Sequence, residues 1–191
     1  MRRDRLTRAA DIVRAGLVCA AAAFFATGDG SAALKALLVL APALAARVAR
    51  VPPAFELVFT LALAAEAIGT KLGAYDSVSW GDTLSHTALP FLSGPVVYGI
   101  LARLGVASEP GTARGTRALL RGATVTAVGI LALGVVWEVV EWAADSALGT
   151  DYSRGYGDTR ADLTGDAIGA VASGALVAGW LRTAARRPSD P

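Results

Sequence analysis

The chain has very little of three residue types that build many catalytic and structural sites. Cys19 is its single cysteine, which excludes an intramolecular disulfide and a cysteine metal site. His86 is its single histidine, which argues against an intramembrane zinc hydrolase of the multi-histidine type. Charged residues make up only 18% of the chain and hydrophobic residues 54%, which is too apolar for an ordinary soluble domain. The composition therefore predicts an integral membrane protein.

Six apolar stretches come close to the length of about 20 residues that a helix needs to cross a bilayer. They cover residues 12–27, 32–46, 54–72, 83–104, 117–147 and 158–181. We therefore predict an all-α fold, a polytopic membrane helical bundle of about six transmembrane helices. In this prediction residues 1–11 are a basic cytoplasmic N-terminus, residues 12–181 the transmembrane domain and residues 182–191 a cytoplasmic tail.

Basic residues predict the orientation, because Lys and Arg in short loops prefer the cytoplasmic side of a membrane. With the N-terminus inside, fourteen of the 18 Lys and Arg residues fall on the inner side. The outer side keeps Lys35, Lys71, Arg154 and Arg160. Both termini are therefore expected in the cytoplasm. The basic inner rim also accounts for the net charge of +2 and the pI near 9.0, so no nucleic-acid partner is expected.

Acidic residues lie at the predicted outer ends of four consecutive spans. Ionisable groups inside a span cost about 2.5–3.5 kcal/mol each on insertion scales, so they tend to mark functional interiors. The third span carries Glu66, and the fourth carries Asp82 one helical turn before His86. The last two spans carry Glu138, Glu141, Asp145, Asp158, Asp162 and Asp166. Their common position predicts one shared site.

Helical spacing gives the acids of the last two spans a common direction. Those of the fifth span are three and four residues apart and those of the sixth step by four, so each set shares one helix face. On the sixth span that face continues as Gly165, Gly169 and Ser173, a small-residue stripe that allows close helix packing. Pro90 and Pro95 fall in the fourth span and should bend it. We therefore expect the acids to face protein rather than lipid.

The acids outnumber the cations near them, since His86, Arg160 and Arg154 are the partners available at that end. Three solutions remain open. A divalent cation supplies the missing charge, several acids carry protons as in a relay, or the deepest acids are neutral within a hydrated polar plug. Carboxylates favour Mg²⁺, Ca²⁺ or Mn²⁺, and His86 allows Zn²⁺ or Fe.

The candidate residues follow from these positions. The metal-ligand candidates are Asp82, His86, Glu138 and Asp162. The catalytic candidates are His86 and Glu141, with Glu141 as the base that activates water. The supporting polar residues are Glu66, Asp145, Asp158, Arg160 and Asp166.

Two motifs read together resemble the YjdF-like family of bacterial inner-membrane proteins. They are the Trp-Glu-Val-Val-Glu-Trp-Ala-Ala-Asp run at 137–145 and the Asp-rich run at 158–170. An upstream Asp, His and Gly are matched by Asp82, His86 and Gly94. The order of motifs is also similar to the VanZ-like proteins, but the Gln that follows the acid in that group is absent here. The resemblance implies a helical fold and a place in the bacterial inner membrane, and it implies no activity.

A second resemblance concerns intramembrane aspartyl proteases. Gly155, Tyr156, Gly157 and Asp158 fit their Gly-x-Gly-Asp pattern, and residues 75–76 fit their Tyr-Asp motif. So short a pattern arises easily in a chain with 21 Gly residues. Asp158 is expected at the mouth of a helix and residue 76 in a loop, so the two would not face each other within the bilayer.

Three function hypotheses remain. The first is a metal-assisted enzyme that acts on a lipid or lipid-linked head group, where a cation polarises a phosphoryl or acyl oxygen. The second is a proton-coupled transporter or carrier that uses the acids as a relay. The third is a non-catalytic membrane scaffold. The expected partners are the bilayer and, for the enzyme, a head-group substrate.

Overall fold

A computed structural model describes residues 2–73 and 81–186 of the chain. Over these residues the chain is helical and contains no strand, which confirms the all-α prediction. The helices are α1 (Arg2–Ala26), α2 (Gly30–Ala49), α3 (Pro53–Lys71), α4 (Gly81–Arg103), α5 (Gly115–Leu148) and α6 (Tyr156–Ala184).

Each of the six predicted spans coincides with one of these helices. Within the described residues, five helices are long and apolar enough to cross a membrane, namely α1, α2, α4, α5 and α6. The remaining helix, α3, carries Glu56 near its start and Glu66 in its second half. The chain is therefore a multi-pass helical protein with at least five candidate spans in its described part.

The chain divides into two compact units, Met1–Ser85 and His86–Pro191. In the first unit α1, α2 and α3 all pack on one another. The side of α2 that faces its neighbours is lined by small residues at helical spacing, including Ala33, Ala36, Ala43 and Ala46. Small side chains let helix backbones approach closely inside a membrane, so this stripe explains the tight packing.

A buried arginine joins the three helices of the first unit. Arg14 of α1 lies 2.8 Å from Glu56 of α3 and 2.7 Å from Asp11. Its Nε donates to the Ala43 carbonyl of α2 over 2.9 Å, and Thr60 lies 3.4 Å from the guanidinium. Because a guanidinium has five N–H donors in a fixed fork, one side chain holds all three helices together.

In the second unit α5 packs on α6, and α4 also approaches α6 closely. Gly169 of α6 lies so near α4 that an added Cβ would be 2.4 Å from the Thr87 carbonyl oxygen. At Gly165 the nearest atoms belong to His86 and Thr87. Both glycines are buried together with Ser173. The predicted small-residue stripe on the sixth span is therefore confirmed as a helix-packing face, and it faces α4.

Helix α4 runs through Pro90 and Pro95 without interruption. Proline has no N–H, so Pro95 cannot donate to the Phe91 carbonyl four residues earlier. Ser173 of α6 takes over this role, since its Oγ donates to the Phe91 carbonyl over 2.8 Å. A hydroxyl from a neighbouring helix thus satisfies the backbone group that the proline leaves open, as a membrane interior requires.

Candidate metal centre

The buried face of α6 carries the two acids at the centre of the site. Asp162 and Asp166 are one helical turn apart and each is only 3% exposed. Asp158, a turn earlier, is half-buried and accepts a hydrogen bond from the Arg154 backbone N–H over 2.9 Å. Arg160 is exposed, because two residues along a helix rotate the side chain by about 200° from Asp158. The structure therefore brings Asp162 and Asp166 together, with Arg160 on another face.

His86 of α4 faces these two acids with both ring nitrogens. Its Nδ1 lies 3.2 Å from Asp166 Oδ1, and its Nε2 lies 3.9 Å from Asp162 Oδ1. The shorter distance is a hydrogen bond, whereas the longer one exceeds hydrogen-bond range. Asp166 therefore holds one edge of the imidazole, and the other edge is directed towards Asp162.

Asp166 is also held from the side of α5. The backbone of Gly134 approaches so closely that an added Cβ would lie 2.3 Å from Asp166 Oδ2. A glycine at this position lets α5 pack directly against the carboxylate. Gly134 is thus a site residue that the sequence prediction missed, because nothing in a run of small and apolar residues marks which glycine meets an acid.

Asp82 lies on α4 one turn before His86, as predicted. Asp82, His86 and Asp162 each offer one ligand atom, and these atoms all lie within 4.8 Å of one another. Asp82 and His86 are carried by a single continuous helix, so the group is formed by α4 and α6. One imidazole and two carboxylates at this spacing are a set that can hold a metal ion.

Glu138 of α5 is a buried acid whose carboxylate oxygens lack hydrogen bonds of normal geometry within the described residues. It is 4% exposed, and within the described residues neither of its carboxylate oxygens has a hydrogen-bond partner. The Thr159 hydroxyl interacts with its carboxyl group, which also interacts electrostatically with His86, Asp158 and Asp166. A buried carboxylate without a hydrogen bond of normal geometry is costly, so this position favours a positive charge nearby.

The other two acids of α5 have different surroundings. Glu141 is buried at 5% exposure and takes part in a further polar interaction. Asp145 accepts hydrogen bonds from the Thr150 hydroxyl and from the backbone N–H groups of Tyr152 and Ser153, at 2.6, 2.9 and 2.9 Å. Asp145 therefore holds the loop between α5 and α6.

Glu66 is held by partners in the first unit. Its Oε1 lies 2.9 Å from Lys35 Nζ, and Ser85 Oγ donates to its Oε2. Lys35 is predicted on the outer side, but its ion pair with Glu66 was not predicted. The available signal was a lysine within an apolar span, which needs a buried acid as its partner.

The aspartyl-protease pattern gains no support from the placement of its aspartates. Asp158 lies in the first turn of α6, where it accepts the Arg154 N–H. Residues 75–76, the Tyr-Asp half of the pattern, lie outside the described residues.

The helices and the cluster together define a multi-pass helical membrane protein with a buried Asp and His site. A family model described as predicted membrane protein (DUF2238) matches residues 11–183. The chain therefore belongs to this family. No curated protein and no solved structure matches the chain.

Proposed function

We propose that this membrane protein binds a divalent metal ion through His86 Nε2, Asp162 and Asp82. The observation that supports the proposal most strongly is the two-sided contact of His86, with Asp166 at Nδ1 and Asp162 facing Nε2. When Nδ1–H donates to Asp166, the lone pair of Nε2 is directed towards Asp162. Metal-binding histidines commonly donate their second ring N–H to a carboxylate in this way.

The ligand set favours a metal that accepts both imidazole and carboxylate. Zn²⁺ and Mn²⁺ meet this condition better than Mg²⁺ or Ca²⁺, which prefer oxygen ligands alone. Three protein ligands leave a coordination position for water or substrate, as in catalytic zinc sites. The buried carboxylate of Glu138, which interacts electrostatically with His86, adds negative charge beside the cation. Glu138 therefore lies beside the centre, and Glu141 follows it by three residues on the same buried face of α5.

The location of the centre follows from the charge distribution of the chain. We propose a bacterial inner-membrane protein with both termini in the cytoplasm, which places the metal centre at the outer end of the bundle. The resemblance of the motifs at 137–145 and 158–170 to the YjdF-like family supports this location. The similarity to VanZ-like proteins gains no support from the family match.

The activity we propose is hydrolysis or modification of a lipid or lipid-linked head group. Such a substrate reaches an outer-end site from within the bilayer. There the metal would polarise a phosphoryl or acyl oxygen when bound. Glu141, one turn from Glu138 on the same buried face, is our candidate for the base that activates water.

Metal content of the purified protein tests the proposal. The protein is loaded with Zn²⁺ in detergent, dialysed and analysed for bound metal together with His86→Ala and Asp162→Asn. We expect about one Zn²⁺ per chain in the wild type and background levels in both variants. Asp151→Asn is the matched control, because it removes an exposed acid of the neighbouring loop. Retention of the metal by His86→Ala would show that the ion binds elsewhere.

Two further measurements separate the activity from its alternatives. Release of phosphate or fatty acid from lipid vesicles that depends on Zn²⁺ and on Glu141 would support the enzyme. A flux of protons or metal across reconstituted liposomes that depends on the same residues would support a carrier instead. Metal binding without either result would leave a metal-stabilised scaffold.

A further inference from the structure

A buried polar bridge within the first unit joins α2 and α3 to Ser85, the last residue of that unit and part of the first turns of α4. Lys35 of α2 lies 2.9 Å from Glu66 of α3, and the two residues are 8% and 9% exposed. Ser85, at the end of the first turn of α4, donates from its Oγ to the second oxygen of Glu66. Both carboxylate oxygens of Glu66 therefore have protein partners. We call these residues the Lys35–Glu66–Ser85 bridge.

Ser85 occupies a particular place on α4. It follows Asp82 by three residues and directly precedes His86. A helix turns by about 100° and rises by about 1.5 Å per residue, so fixing one side chain fixes the rotation and height of its neighbours. A hydrogen bond at Ser85 therefore constrains the turn that carries two of the three candidate ligands.

We propose that the bridge positions the metal centre, and that Lys35, Glu66 and Ser85 are positioning residues rather than ligands. This inference rests on the proposed metal-binding function. The ammonium of Lys35 already balances the charge of Glu66, so a cation gains little from that carboxylate. Glu138 differs, because its two oxygens have no hydrogen-bond partner within the described residues. The two buried glutamates thus have separate roles.

The hydroxyl of Ser85 offers the cleanest perturbation, because its removal changes no charge. Loss of a group that orients a metal ligand typically lowers metal affinity about 10–100-fold. Ser85 bonds to Glu66 rather than to a ligand, so we expect Ser85→Ala to weaken Zn²⁺ binding at the lower end of this range. Ser85→Thr keeps the hydroxyl and should restore most of the affinity.

The experiment has one measurement with metal and one without it. Zn²⁺ affinity is measured by competition with a chelating dye. In the metal-free protein, the imidazole ¹⁵N signals are recorded after labelling with ¹⁵N-histidine. His86 is the only histidine in the 191 residues, so the spectrum reports this ring alone. We expect Ser85→Ala and Glu66→Gln to shift the imidazole signals and Ser85→Thr to leave them close to the wild type.

Two control variants separate positioning from general damage. Ser93→Ala removes another hydroxyl of α4, one that donates to the Pro90 carbonyl of its own helix over 2.8 Å. Glu56→Gln disrupts another buried ion pair of the first unit, that of Glu56 in α3 with Arg14 in α1 at 2.8 Å. Both controls should keep the wild-type affinity and the wild-type His86 signals, even where Glu56→Gln lowers thermal stability.

The outcomes distinguish this inference from the proposed function. If Ser85→Ala matches Ser93→Ala in both measurements, the positioning role is wrong. If Glu56→Gln alters the His86 signals as strongly as Ser85→Ala, the effect is general destabilisation and the inference is also overturned. If the wild type binds no Zn²⁺ while Ser85→Ala still shifts the His86 signals, the bridge orients His86 and the metal proposal alone fails.

Discussion

The carboxyl groups of the predicted site differ in what each oxygen contacts. Asp166 forms a hydrogen bond with His86 and packs against Gly134. Asp145 accepts three hydrogen bonds from the loop that follows α5.

The two buried glutamates also differ. Glu66 forms an ion pair with Lys35, and Glu138 has no hydrogen bond of normal geometry among the described residues. These contacts assign different roles to acids that the sequence presents as one set.

Asp166→Asn tests the role of the carboxylate that holds His86. The amide still accepts a hydrogen bond from Nδ1–H, but it lacks the charge that strengthens Nε2 as a ligand. We expect Zn²⁺ affinity to fall about 10–100-fold, while Asp162→Asn, which removes a ligand, loses binding altogether. Competition titration measures both values. Equal affinities of Asp166→Asn and the wild type would contradict this role.

Gly134→Ala tests whether the position of the Asp166 carboxylate depends on the packing of α5 against it. The added methyl group would lie 2.3 Å from Asp166 Oδ2, so the side chain must move away from its present position. We expect a loss of Zn²⁺ affinity comparable to that of Asp166→Asn. Gly179→Ala on α6 is the control, because an added Cβ there meets no atom within 4 Å. If the two alanine variants bind Zn²⁺ equally well, Asp166 does not depend on Gly134.

At the residue scale, burial could be predicted from the sequence where the helical period alone determines which face a side chain lies on. It placed Asp162 and Asp166 on the face of α6 that packs against protein, and both are buried. The same period directs Arg160, one of the predicted supporting polar residues, to another face, and Arg160 is exposed. Pairing of Glu66 with Lys35 could not be read from the sequence, because it depends on which faces of α2 and α3 meet.

At the scale of helices, the contact between α4 and α6 places the site. The small residues Gly165 and Gly169 bring the two backbones together beside His86. The same contact continues to Ser173, whose hydroxyl bonds to the Phe91 carbonyl. The length and apolarity of the spans predicted the ends of five helices within about three residues, whereas α1 begins ten residues before its predicted span. The hydrogen bond from Ser173 to the Phe91 carbonyl could not be predicted from the sequence, because it depends on the register between α6 and α4.

A double-mutant cycle tests why Ser173 is needed. Ser173→Ala leaves the Phe91 carbonyl without a donor, because residue 95 is proline. We expect a loss of about 0.5–2 kcal/mol in the free energy of unfolding in detergent. In a Pro95→Ala background the restored N–H can serve this carbonyl, so Ser173→Ala should cost close to nothing. Equal losses in both backgrounds would show that Ser173 acts through packing alone.

At the scale of the whole molecule, membership of a membrane-protein family agrees with the helices found in the chain. The family match extends over residues 11–183, and five helices of the described residues qualify as spans. Composition and apolar length predicted this class, because both reflect the solvent in which the chain folds. The first unit is held by the buried Arg14 and the second by the contact of α4 with α6.

Orientation in the membrane is the prediction that belongs to this scale. In a Cys19→Ala background, single cysteines are introduced as Asp151→Cys and Gly111→Cys, both at exposed loop positions. A membrane-impermeant maleimide added to intact cells should label Asp151→Cys, because we predict that most basic residues lie on the cytoplasmic side and this loop on the other. Gly111→Cys should react only after the membrane is opened. Labelling in the reverse order would place the metal centre on the cytoplasmic side.

X-ray absorption at the zinc edge of the Zn²⁺-loaded protein tests the central claim most directly. The proposed centre predicts one imidazole nitrogen at about 2.0–2.1 Å, together with carboxylate or water oxygens at about 2.0–2.2 Å. Because His86 is the only histidine, the imidazole scattering pattern identifies the ligand without ambiguity and disappears in His86→Ala. A shell made only of oxygen atoms in the wild type would contradict the assignment of His86, Asp162 and Asp82 as the metal centre.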